Sequence, residues 1–149
     1  MQTLFDPAAR ESILQRLGSL YPEAARQWGR MDAAQMLAHC SVALEAGTGD
    51  TPLKQKLIGK IFAPFVKRSL LGEKPFSRNS PTDPTFVVTD SRDFAREKER
   101  LKALIVRFCQ LGPAHAGKHT HSFLGKISGD DWGVMMHKHT DHHLKQFGV

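Results

Sequence analysis

At 149 residues, with 40% apolar and 24% charged side chains, the chain matches one globular domain spanning residues 1–149, which excludes fibrous and wholly disordered classes. Met1 to Pro7 shows no basic stretch leading into an apolar run, and no segment approaches the roughly 20 apolar residues that cross a bilayer, so a cytoplasmic protein with no membrane partner is expected. The net charge of +6 is scattered over Lys54–Arg68, Arg92–Lys102 and Lys118–Lys145 without interleaved aromatics, so solvated helix faces are the plainer reading and nucleic acid is not the expected partner.

Asp6-Pro7 opens the first helix, with Asp6 as N-cap and Pro7 at the first helical position. Ala9, Ile13, Leu17 and Leu20 repeat at helical spacing until Pro22. Asp32 with Gln35 forms a reciprocal capping pair for a second helix, expected to reach about Ala46 and stop at Gly47. Residues 53–71 are amphipathic and basic, with Pro64 inside, which predicts a kink or two shorter helices. Residues 72–90 hold Pro75, Pro81 and Pro84 and read as a long ordered loop or a lid, with Phe86 to Val88 as a short extended pin. A fourth helix is expected from near Ser91 to Gly112, then a loop rich in glycine and histidine. Ser128 with Asp131 starts the last helix, expected to end near Gln146. No run shows strand alternation. The class is all-α, most simply a four-helix bundle with an extra short helix and long loops. Cys40 and Cys109 are too few for a disulfide framework and read as reduced, buried thiols.

The last helix carries the chemistry. On a wheel of 100° per residue, His139 and His143 each lie about 20° from Trp132, in the middle of the core-facing stripe, while His137 points elsewhere. Imidazoles at i and i+4 can share one cation. Thr140 follows His139 where zinc proteases place a glutamate, so their hydrolytic motif is absent. The spacing alone fits equally a pair of core histidines satisfied by hydrogen bonds. His39, beside the stripe of Met36, Cys40 and Ala43 in the second helix, would complete a facial set with open positions. His115, His119 and His121 form a second group before the last helix, read as surface residues, as the mouth of the site, or as holding a second ion. His142 is off the centre of the stripe, so it and His121 are candidates for a catalytic role rather than ligands.

Three stretches resemble the DinB-like (YfiT-like) superfamily of four-helix-bundle metalloenzymes, closest to an uncharacterised bacterial branch. They are Ala34–His39, His121–Gly125 with Trp132 following, and His139–Gly148. The branch often has His-Pro-Phe-Phe-Gly where this chain reads His121-Ser122-Phe123-Leu124-Gly125, which puts the shape of that loop in question. The resemblance implies His39, His139 and His143 as ligands of zinc, nickel or a similar divalent metal. It implies a metal-dependent enzyme acting on a small molecule, known members including transferases and isomerases that use low-molecular-weight thiols, and a homodimer as the candidate assembly; a metal-bound water would instead make a hydrolase. The other reading is a non-catalytic metal-binding stress or accessory protein.

Overall fold

The computed structural model describes residues 1–80 and 82–149; Pro81, one of the three prolines placed in the long loop, lies outside the described residues. The chain runs α1 (Pro7–Ser19), α2 (Ala33–Thr48), α3 (Leu57–Leu71), a single 3-10 turn (Pro84–Phe86), α4 (Phe94–Ala116), β1 (Thr120–His121), β2 (Gly125–Lys126) and α5 (Gly129–Gln146).

Local chemistry sets the helix starts. Asp6 accepts from the Ala8 N–H, Asp93 from Arg96 and Ser128 from Asp131. Asp32 and Gln35 form the full reciprocal box. Each cap satisfies donors that the first helical turn leaves open. Three expectations are corrected. The second helix does not stop at Gly47: it continues to Thr48 and ends on Gly49, whose φ of 86° is the left-handed conformation that closes helices. Gly47 is buried instead, where α2 passes so close to Phe108 that a Cβ would lie 2.8 Å from its ring. The fourth helix begins at Phe94 rather than near Ser91, because Asp93 is its cap; Gly112 (φ 76°) breaks it where expected, and Pro113 starts one further turn. The loop before α5 holds a two-residue antiparallel hairpin, with His121 opposite Gly125, in a fold that is otherwise helical and consistent with the all-α class. The third correction is at Pro64: residues 57–71 form one helix through it rather than two shorter ones.

The most extensive packing joins α2 to α4, and α5 and α1 close over that pair. Trp132, Phe108, Leu37, Ile105, Leu17 and Leu144 are all at most 1% exposed in the shared apolar cluster. Burying a side chain of this size stabilises the fold by about 1.5–3 kcal/mol. Charged groups fix the seams. Arg100 of α4 contacts Glu45 of α2 as well as Glu97, and Arg16 of α1 holds Asp141 of α5 at 2.7 Å. Cys40 is buried as expected, whereas Cys109 is only half-buried, its S–H reaching the Leu4 carbonyl at 3.0 Å. Among the described residues no helix is long and apolar enough to cross a membrane.

Candidate metal centre

His39 leaves α2 toward α5, where His139 and His143 stand one turn apart. Ligand atoms of the three imidazoles all lie within 4.8 Å of one another, and their ring centroids are 4.7–4.8 Å apart. His39 and His143 are buried and His139 is intermediate in exposure. The Nε2 atoms of His39 and His139 are 2.9 Å apart. Two imidazole nitrogens bound to one ion at metal–nitrogen distances near 2.1 Å would be roughly 3.0–3.4 Å apart, so little movement separates this arrangement from a ligated one.

The backs of two rings are held. His39 Nδ1 lies 2.8 Å from the Phe86 carbonyl, which can only accept, so Nδ1 carries the proton and Nε2 keeps its lone pair. His143 Nδ1 lies 2.8 Å from Gln146 Oε1, and the amide is oriented because its Nε2 donates to the Trp28 carbonyl at 2.7 Å. That again leaves the lone pair on Nε2. Partners of this kind fix the tautomer and aim of metal-binding histidines. Burial lowers the pKa of all three rings, His143 to about 3, and neighbouring imidazoles push His139 down further. The rings are therefore neutral, the form that coordinates a cation.

Neither orienting carbonyl was visible beforehand. Phe86 belongs to the 3-10 turn of the long loop, which Asp83 caps by accepting from Thr85 and which Lys56 anchors through an ion pair with Asp83. A backbone carbonyl has no residue signature. Gln146 was within reach of sequence reasoning, since it sits one turn beyond His143 on the same helix.

His121 is not a free base. Its Nδ1 accepts from the N–H groups of both Phe123 (3.1 Å) and Leu124 (3.0 Å), so the proton sits on Nε2. Burial drives its pKa to about 4 despite the opposing pull of Asp83. At neutral pH it is an uncharged donor packed edge-on against Trp132. His142 lies outside the cluster of three, its ring 5.2 Å from that of His143, and its nitrogens make no hydrogen bond among the described residues. It forms one wall of a cleft of about 500 Å³ with Trp28, Phe76, Arg78 and Lys138. His115 and His119 are distant from the cluster and pair with each other, His115 Nε2 lying 2.9 Å from the Thr48 carbonyl at the other end of α2. They therefore do not line the mouth of the site. His137 is buried beside Asp141 and Arg16, away from the three rings.

A family model described as a protein of unknown function (DUF1569) matches residues 5–148. The chain belongs to the DUF1569 family. The match covers all five helices of this DUF1569 protein, including the three histidines and both orienting groups, and supports an uncharacterised family without placing it among DinB-like proteins. No curated protein and no solved structure matches the chain.

Proposed function

We propose that this DUF1569 protein binds a divalent transition metal, zinc or nickel, through His39, His139 and His143, and uses the open side of that site as a metal-dependent enzyme of the DinB-like type. One observation carries the reading: His39 and His143 are both held as Nδ1–H tautomers, so their Nε2 lone pairs are available in the one place where three imidazoles meet. Core histidines without a ligand role would need hydrogen-bond donors for those lone pairs; among the described residues the Nε2 of His39 meets His139 alone, and the Nε2 of His143 has no hydrogen-bond partner.

A bound divalent ion would acidify a coordinated thiol or water at neutral pH. The chain's own residues would then select and orient the substrate. Arg78, seated 4.7 Å over the Trp28 ring, offers a cation at the cleft beside His142, which suits a carboxylate-bearing thiol. His142, neutral because burial lowers its pKa, is the group placed to take a proton. His121 would donate a hydrogen bond rather than accept a proton.

That same property of His121 favours a second reading. With its lone pair occupied, the site has one candidate base, and a non-catalytic metal-binding accessory protein needs none. Metal analysis after purification without chelator or a nickel column tests the shared claim. Close to one equivalent of metal is expected in the wild type and little in His139→Ala or His143→Ala, with helical content unchanged. Less than about half an equivalent in the wild type, unchanged in His139→Ala, would sink the metal site. A screen of glutathione and related thiols with a generic electrophile separates the two readings, since metal-dependent turnover belongs only to the first.

A further inference from the structure

The outer face of α3 is apolar. Leu57, Ile58, Ile61, Phe62 and Phe65 are 48–78% exposed. With Leu57 at zero on a helical wheel, these five span about 0–140°, while Gly59, Ala63, Val66 and Leu70, which face the core, fall at about 180–240°. The helix cannot roll to hide its outer residues. Gly59 sits so tightly on the backbone of Phe123 that a Cβ would be 2.6 Å from its carbonyl oxygen. At the other end, Lys138 of α5 donates to the carbonyls of Ser69 (2.6 Å) and Gly72 (2.9 Å). The apolar arc is therefore held outward from both ends.

Charge around the arc has one sign. Between Asp50 and Glu73 there is no acidic residue, while Lys54, Lys56, Lys60, Lys67 and Arg68 are all basic. Lys56 is neutralised by Asp83; the other four have no ion-pair partner among the described residues. A second copy docked face to face would bring these four cations against the same four, which opposes a homodimer through α3. An apolar protein groove would bury the arc but leave the cations unused.

We propose that α3 is a docking helix for an anionic lipid surface. Its leucine, isoleucine and phenylalanine side chains would enter the boundary between headgroups and acyl chains, and the flanking lysines and Arg68 would meet the lipid phosphates, their long stems letting the charges rise to the headgroup level. The protein would lie on the membrane without spanning it. This revises the reading of the basic residues as merely solvated faces, and it stands apart from the metal site.

Flotation of the full chain with vesicles tests the inference, using phosphatidylcholine alone and phosphatidylcholine with about a third phosphatidylglycerol. The wild type is expected to float with the anionic vesicles and to remain behind with the neutral ones. Ile61→Ser with Phe65→Ser and, separately, Lys60→Glu with Lys67→Glu should each reduce partitioning by an order of magnitude or more. All four positions are exposed, and circular dichroism checks that the helices persist. Absence of flotation overturns the proposal. So does equal flotation by the serine variant, which would show charge attraction alone. If the wild type scatters light as a dimer that the serine variant converts to monomer, and neither floats, a second copy covers this face and the lipid assignment is wrong.

Discussion

His39 and His139 meet nitrogen to nitrogen, 2.9 Å apart, across the seam between α2 and α5. The proton of His39 is committed to the Phe86 carbonyl, so His139 supplies the hydrogen between the two rings. A cation replacing that hydrogen needs His139 only to shift its proton to the other nitrogen. Because burial keeps all three rings neutral, calorimetric titration of metal at neutral pH, compared across buffers of different ionisation enthalpy, should show no more than a small fraction of a proton released by the histidines. Release of clearly more than one proton would mean that a ring was charged beforehand, since one can come from a water on the metal.

Gln146 joins His143 to the Trp28 carbonyl and is itself buried. Gln146→Leu keeps the approximate volume but frees the His143 ring to turn and to change tautomer. Metal affinity should fall roughly 10–100-fold, as measured by competition with a chromophoric chelator. An unchanged affinity would show that the ring is held by packing alone.

The hydrogen bonding of His121 is directly observable. In a nitrogen-15 spectrum its Nε2 should appear protonated and its Nδ1 unprotonated, with no titration until the pH approaches about 4. Titration near the ordinary imidazole value of about 6.5 would mean that the hairpin does not hold the ring.

Acid should destabilise the metal-free protein earlier than its carboxylates alone would. Unfolded histidines take up protons as pH falls through about 6.5. Folded His143 waits until about 3 and His121 until about 4. In that window the unfolded chain binds more protons, so stability present above 6.5 is lost as pH drops. Denaturant unfolding at pH 5 should give about 2–4 kcal/mol less than at pH 7.5. The hydrogen bonds that hold Asp83 and Asp141 low, against the opposing effect of burial, matter only at still lower pH.

Gly47 separates close packing from helix termination. A Cβ there would lie 2.8 Å from Phe108 and 3.2 Å from Trp132, so Gly47→Ala should destabilise the fold by about 1–3 kcal/mol despite the better helix propensity of alanine. A neutral or stabilising result in thermal unfolding would place slack between α2 and α4.

What could be read in advance followed local chemistry. Asp6-Pro7, Asp32 with Gln35, and Ser128 announce helix starts because a cap needs only its neighbours. The spacing of His139 and His143, with His39 in a separately capped helix, located the cluster that the fold assembles. The unread parts depend on tertiary placement. Gly47 and Gly49 are equivalent stop signals until Phe108 is known to need the space at the first. The carbonyl of Phe86 acquires its role only because the long loop returns to α2. The amphipathic pattern of 57–71 marks a stripe, but with lysines beside it the period does not say which face turns inward.

Lys138 adjoins His139, and its ammonium ties off carbonyls at the carboxyl end of α3. One flexible side chain thus tethers the outermost helix to the helix that bears two of the clustered imidazoles. Force applied to α3 from outside reaches the residue beside His139 through that tether, without crossing the core. Cutting it with Lys138→Met would leave the carboxyl end of the outer helix held by the packing of Val66, Leu70 and Leu71 alone, a looser joint in place of a clasp.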